Sequence, residues 1–131
     1  ERMSILREDK VKRVANYIPE QEVFGAEESD LLVVSWGGTY GVMLTAIDQL
    51  INEGKSVSLA HFKYIFPLPK NTKDIFSRYK KIVVCEINMG QFVNYLRIQF
   101  PEFSFQKYNK IQGLPFMVTE VVDKVNELLK D

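Results

Sequence analysis

The chain is poor in the residues that most often build a self-contained reactive centre. It has one cysteine, Cys85, in 131 residues. A lone cysteine excludes an internal disulfide and argues against a cysteine-held zinc site or iron–sulfur cluster. Such sparing use fits a reducing, cytoplasmic setting. It has one histidine, His61, at the end of a strand-like run. Alone, that residue makes neither a triad nor a metal site, and a hydrogen-bonded structural role is expected. Neither sign of charge is in excess: Lys+Arg and Asp+Glu both number 17. With no basic cluster, no nucleic-acid partner is expected. No apolar stretch approaches the ~18 residues of a membrane span, and no signal peptide is visible, so no membrane partner is expected either.

What remains is ordinary for a globular domain, with 46% hydrophobic and 26% charged residues. Residues 1–17 are rich in Lys, Arg and Glu, with a loose helical stripe of Met3, Leu6, Val14 and Tyr17, and Pro19 ends it. This stretch, 1–22, reads as a lead-in helix and linker. It starts at Glu1 without a Met, as expected of a fragment cut from a longer protein; processing gives the same start. The folded domain is placed at 23–131.

Strand and helix signals then alternate. "EVFG" (22–25) suits a short edge strand, and "LLVVSW" (31–36) a strand buried on both faces. A helix is expected over Tyr40–Glu53, with Met43, Ala46, Ile47 and Leu50 on one face and Gly54 just past its end. "VSLAHF" (57–62) is the next strand. Asn71 or Thr72 is placed to cap a short helix carrying Ile75, Phe76 and Tyr79. "IVVCE" (82–86) is a further buried strand, followed by a helix with Phe92, Val93, Leu96 and Phe100 on one side. "FSFQKY" (103–108) is a last strand. A helix over about 118–130 aligns Val118, Val121, Val122, Val125 and Leu128. Alternation of this kind implies an α/β domain, a mostly parallel sheet between two helical layers.

Ligands and partners of such sheets gather at the carboxyl ends of the strands, where strand order switches. Two loops qualify: Gly37, Gly38, Thr39, Tyr40 and Gly41, and the run 86–91 with Glu86, Asn88, Gly90 and Gln91. The glycine loop is not a dinucleotide fingerprint. Trp36 stands where the first glycine of G-x-G-x-x-G belongs, and the next strand ends in "AHF" without a carboxylate. It is not a Walker A loop, since no Lys-Ser/Thr follows. A looser anion site on the N–H groups of Gly38–Gly41 stays open. The plainer expectation is that the glycines let the chain turn sharply and let helix and sheet pack closely. Glu86 could serve as acid or base, but no partner is near in sequence, and the favoured role is accepting backbone hydrogen bonds from a neighbouring loop. Cys85 reads as an inert buried thiol. Ser35 lacks the turn that exposes a nucleophile. Tyr40, Tyr64, Phe66 and Phe116 sit on loops or helix starts, suited either to anchoring an interface or to packing under their own loops.

Four stretches in order, "VVSWGGTYG", "YIFPLPKN", "VVCEINMGQ" and "NKIQGLPF", resemble the C-terminal part of the alpha subunit of 2-oxoacid:ferredoxin oxidoreductases, the 2-oxoglutarate type especially, over about residues 23–130. That part is similar to the transketolase C-terminal domain. The resemblance implies a five-stranded mixed sheet in the order 1-3-2-4-5 along the chain, the first strand antiparallel to the rest. It implies an enzyme that oxidatively decarboxylates a 2-oxoacid with thiamine diphosphate, Mg, coenzyme A, iron–sulfur clusters and ferredoxin. It also implies that this chain is a non-catalytic assembly domain contacting other domains of the alpha subunit and the beta subunit. No catalytic, cofactor-binding or metal residue of the family carries over onto this chain, so the isolated fragment is expected to be inactive. Family members usually have Ser where Gly38 stands and often Thr where Met117 stands, so Glu120 is expected to lose its capping-box partner. Ile87 and Met89 also depart from the common "EMN.GQ" or "ENN.GQ" type. The alternatives are a stand-alone small-ligand or anion-binding module, or the matching domain of another thiamine enzyme.

Overall fold

The computed structural model describes residues 17–87, 91–110 and 114–130. The lead-in helix expected over 1–17 lies outside them, apart from Tyr17. Four strands, β1 (Ser29–Trp36), β2 (Val57–Phe62), β3 (Tyr79–Ile87) and β4 (Phe105–Lys110), form one sheet in the order β2-β1-β3-β4. All three pairings are parallel, with Val33 abreast of Leu59 on one side and of Val83 on the other. Four helices connect and cover them: α1 (Tyr40–Asn52), α2 (Thr72–Phe76), α3 (Gln91–Gln99) and α4 (Val118–Leu129).

The expected five-stranded mixed sheet is corrected at its edge. Around residue 24 there is one antiparallel bridge, Phe24 to Leu59, with N–H···O distances of 2.8 and 2.9 Å, and no further strand among the described residues. Pairing stops there because Gly25 turns the chain at φ +108°, pressed against Ile51 and Ser58. Further back, the side chain of Gln21, not its backbone, reaches the His61 carbonyl at 2.8 Å.

Alternation along β1 divides the core. Leu31 and Val33 face α1 and α4, where Met43, Ala46, Ile47, Leu50, Val121, Val125 and Leu128 close over them. Leu32 and Val34 face α2 and α3, with Phe62, Phe76, Phe92, Leu96 and Phe105. A run buried on both sides is what a continuous apolar strand requires. Each such side chain adds roughly 1.5–3 kcal/mol on burial. Helix α1 ends as its glycine demands: Gly54 takes φ +84°, and the N–H groups of Gly54 and Lys55 bond the Ile51 and Leu50 carbonyls, both at 2.9 Å.

Three local expectations change. Asn71 does not cap α2. Its amide pairs with the backbone of Gln21 in both directions, at 2.8 and 2.9 Å, and clamps the incoming segment to the domain. Tyr79 opens β3 instead of closing α2, and its hydroxyl donates to the Ala26 carbonyl. Strand β4 begins two residues later than the pattern suggests, because the chain is still turning after Pro101; Phe103 packs against the core before it.

Glu120 keeps half of its capping box. Its carboxylate accepts the Met117 N–H at 2.8 Å and the Lys110 ammonium at 2.7 Å, tying α4 to β4. The loss expected from Met117 therefore covers only the hydroxyl half. Lys110, and secondarily the Met117 N–H, hold the Glu120 carboxyl below the usual carboxylate range. A lowered carboxyl stabilises the fold above its unfolded pKa, and this is lost as pH falls through the lower folded value. The stability gap between wild type and Glu120→Gln should thus be present at neutral pH and close below about pH 4. Urea unfolding across that range measures it.

Candidate functional site: the switch-point crevice

Strand β1 leads to α1 on one face of the sheet, and the adjacent β3 leads to α3 on the other. The chain therefore divides at the carboxyl ends of β1 and β3, and the two loops singled out from sequence flank that point. Trp36 joins them. Its ring meets Phe92 edge-on at 6.0 Å between centroids, and its indole N–H makes a long contact of 3.5 Å with a Glu86 oxygen.

Glu86 is 2% exposed at the end of β3. One oxygen accepts the Phe92 N–H at 3.0 Å, and the other accepts the Val93 N–H at 2.8 Å. These are first-turn donors of α3, which have no partner within the helix. The carboxylate thus fills the anion position that a helix N-terminus offers. The expectation that Glu86 accepts backbone hydrogen bonds holds, with a helix start, not a loop, as the donor. Both oxygens are engaged by donors of the chain itself.

Across the crevice, Gly37–Thr39 form a single 3-10 turn and α1 starts at Tyr40. Thr39 is buried, its hydroxyl turned back to the Trp36 carbonyl at 3.2 Å, and no side chain caps α1. Gly37 takes φ +75°, a conformation other residues enter at a cost. Gly38 and Gly41 have no such constraint, and a Cβ built on either meets nothing within 4 Å. The sharp turn is therefore real at Gly37, while close helix–sheet packing is not what Gly38 or Gly41 supply. Gly37→Ala should cost roughly 1 kcal/mol. Gly38→Ala should be near neutral, and Gly41→Ala neutral or stabilising by up to about 1 kcal/mol from helix propensity. Thermal unfolding of the three variants distinguishes these. Tyr40, Gln91 and the three glycines are exposed, while Asn88 and Gly90 lie outside the described residues.

One pair was missed in the sequence. Ser35 and His61 are abreast on β1 and β2, and Ser35 Oγ lies 2.8 Å from His61 Nδ1. Both are the next-to-last residue of their strand, so parallel strands ending together would have revealed them. Ser35 is fully buried, no carboxylate bonds His61 among the described residues, and the Tyr40 ring lies tilted against it at 4.8 Å between centroids. Burial holds the His61 pKa below its ordinary value, against the pull of a backbone hydrogen bond with Gly37. The bond with Gly37 ties the glycine turn to β2. His61 is hydrogen-bonded, as expected. It also lines a groove of about 430 Å³ with Tyr40, Lys63, Tyr64 and the segment at Pro19–Phe24.

Of the groups that the resemblance implies, an iron–sulfur cluster and a metal ion can be compared with the donor sets of the described residues. Cys85 is buried, its thiol pushed up to about 12 chiefly by desolvation, and a cluster needs several cysteine thiolates. No group of three or more His, Cys, Asp or Glu could hold a metal ion among the described residues. No described helix is long and apolar enough to cross a membrane. Of the loop aromatics, Phe116 packs beneath its loop against Tyr108, whereas Tyr40, Tyr64 and Phe66 are exposed.

Residues 29–124 match the family described as pyruvate:ferredoxin oxidoreductase core domain II. The chain belongs to that family. Among its relatives, the 2-oxoglutarate oxidoreductase subunit KorA of Mycobacterium tuberculosis is 31% identical over 88% of this chain and 18% of its own length. The alpha subunit of 2-oxoacid:ferredoxin oxidoreductase 2 of Aeropyrum pernix is 28% identical over 98% of this chain and 21% of its own length. Core domain II here thus spans about a fifth of the curated relatives it matches. A solved 2-oxoglutarate:ferredoxin oxidoreductase from Magnetococcus marinus, with 2-oxoglutarate, coenzyme A and succinyl-CoA bound, superposes with a TM-score of 0.78 and 32% identity, over 88% of this chain and 21% of that one. The alpha chain of a probable 2-oxoacid ferredoxin oxidoreductase from Thermoplasma acidophilum shares the fold, with a TM-score of 0.53 and 24% identity over 86% of this chain and 98% of that chain.

Proposed function

We propose that this domain is the non-catalytic assembly domain of the alpha subunit of a thiamine-dependent 2-oxoacid:ferredoxin oxidoreductase, acting on 2-oxoglutarate. The observation that carries this is the state of Glu86. The one carboxylate in the switch-point crevice is consumed by the chain's own helix start and indole. The relatives at 31% and 32% identity are both named for 2-oxoglutarate, which supports that substrate over other 2-oxoacids. Residues 23–131 form the transketolase C-terminal-like unit, and 1–22 lead into it from the preceding domains. The crevice of Gly37–Gly41, Glu86, Asn88, Gly90 and Gln91 docks against other domains of the alpha subunit or the beta subunit. Thiamine diphosphate, Mg, the iron–sulfur cluster and coenzyme A are held elsewhere in the enzyme, ferredoxin takes its electrons, and the setting is the cytoplasm.

The purified chain should show no 2-oxoglutarate-dependent reduction of ferredoxin, with or without coenzyme A. It should give no heat on titration with thiamine diphosphate and Mg. It should also gain no thermal stability from phosphates, coenzyme A or 2-oxoacids, which a ligand-binding module would do. Turnover by the chain alone, or micromolar binding of thiamine diphosphate, removes the proposal.

A further inference from the structure

The two edges of the sheet are protected differently. Strand β4 carries Lys107 and Lys110, charges that discourage a further strand. Strand β2, VSLAHF, has no Lys, Arg, Asp, Glu or Pro. Leu31 of β1 bonds the Ser56 carbonyl, so by alternation the outward groups of β2 are those of Val57, Leu59 and His61. The Val57 N–H turns back to the Lys55 carbonyl at 3.2 Å, Leu59 exchanges both of its bonds with Phe24, and the His61 carbonyl accepts from the Gln21 side chain. What covers this edge is therefore the incoming strap, residues 18–24. It is lightly held. Apart from those bonds, its attachment is the amide of Asn71 on the Gln21 backbone. Val23 packs at the rim of the core, while Pro19, Glu20, Glu22 and Phe24 are exposed. The strap, Tyr40, His61, Lys63 and Tyr64 together line the groove of about 430 Å³. A segment with so few buried apolar contacts opens separately from its domain.

We infer that the strap is a releasable guard, and that the β2 edge beneath it pairs antiparallel with the β2 edge of a second copy of this chain once Asn71 lets go. Leu59 sets the register. With Phe24 it already makes the antiparallel pair in which both residues exchange N–H···O bonds. A twofold axis through Leu59 rebuilds both bonds between two copies and places Val57 opposite His61, with no Lys, Arg, Asp or Glu inside the paired stretch. Such an interface is self-complementary and closes at two copies. Just outside it, Lys55 comes abreast of Lys63 of the second copy, and like charges there oppose pairing. Glu20 and Glu22 line the same groove as Lys63, so a released strap also carries carboxylates away from that lysine. The pairing is therefore weakest at low salt and strengthens as salt screens the lysines.

Amide exchange and sedimentation of the 131-residue chain test it. The wild-type chain should sediment as a monomer. In Asn71→Ala the Leu59 N–H should exchange at least about tenfold faster in dilute solution, with the Val33 and Val83 amides unchanged. Raising the protein concentration should then give a dimer in which Leu59 is protected again, and salt should tighten it. Adding Lys63→Glu, which turns a carboxylate toward Lys55 of the second copy, should tighten the dimer at low salt. Gln21→Ala replaces Asn71→Ala if that variant fails to fold. Leu59 exchange that stays slow, or that rises together with Val33 and Val83, means that the strap is no separate unit and overturns the inference. So do a variant that stays monomeric with Leu59 open, a dimer in which Leu59 remains open, and a dimer that Lys63→Glu weakens or leaves unchanged. A wild-type chain that pairs through Leu59 as readily as the variant overturns it as well, since the strap then guards nothing.

Discussion

Glu86→Ala should lower the unfolding free energy by about 3–5 kcal/mol, the largest loss expected from a single polar side chain in the crevice. The side chain is an acceptor for two N–H groups shielded by Phe92 and Val93, which are 2% and 1% exposed. Removing it strands both donors in a place water does not readily reach, at roughly 1–3 kcal/mol each. Trp36 loses its indole contact in the same change. Glu86→Gln should fall between, since the amide oxygen can serve one N–H while the amide nitrogen faces the other. Urea unfolding with an unchanged slope measures both. Trp36, the chain's single tryptophan, should shift its emission in the native state. A cost under about 1 kcal/mol for the alanine variant would mean that water reaches the α3 start. The crevice would then be open to a ligand.

Phe76→Ala should cost about 3–5 kcal/mol, a large share of the roughly 5–15 kcal/mol that hold a domain of this size together. Phe76 is fully buried at the centre of an aromatic cluster. Its ring centroid lies 5.2 Å from Phe105, 5.5 Å from Phe100, 6.0 Å from Phe103 and 6.2 Å from Phe62. The three closest are edge-to-face, a geometry worth about 0.5–1.5 kcal/mol per pair beyond area alone. Those neighbours come from β4, the turn before it and the residue just after α3, so the ring adds to the contacts, such as Arg97 to the Phe105 carbonyl, that already join these elements. Phe76→Leu should cost about 1–2 kcal/mol, since most of the volume is kept. Guanidinium unfolding and near-ultraviolet circular dichroism read the two variants. A loss under about 2 kcal/mol for alanine would show that the cluster collapses into the gap, contrary to a rigid core.

The crevice itself was half legible. Glu86 at the end of "IVVCE" and glycines at the end of "LLVVSW" could be placed on facing loops because both runs are long, apolar and bounded by turn residues. What fills the crevice was harder to see. That Glu86 turns to Phe92 and Val93 depends on where α3 begins, and that Trp36 turns toward Glu86 depends on β1 lying beside β3. The pair of Ser35 and His61 is 26 residues apart in the chain. No local pattern joins them until the register of β1 on β2 is known.

Sequence alone determined the layers of this protein: the four central strand runs, the helices between them, and which face of each is apolar. Those properties have periods of two and 3.6 residues and are written locally. Its membership in an oxidoreductase family was legible too, through four loops kept in order. Tertiary structure alone decided the end of the sheet and the use of its polar groups. A fifth strand shrank to one bridge because Gly25 turns away against Ile51 and Ser58. Asn71 left its helix to clamp Gln21, and the Glu86 carboxylate was spent inside the fold. A hydrogen-bonding group takes whichever partner packing brings within about 3 Å, and that partner is seldom its neighbour in the chain.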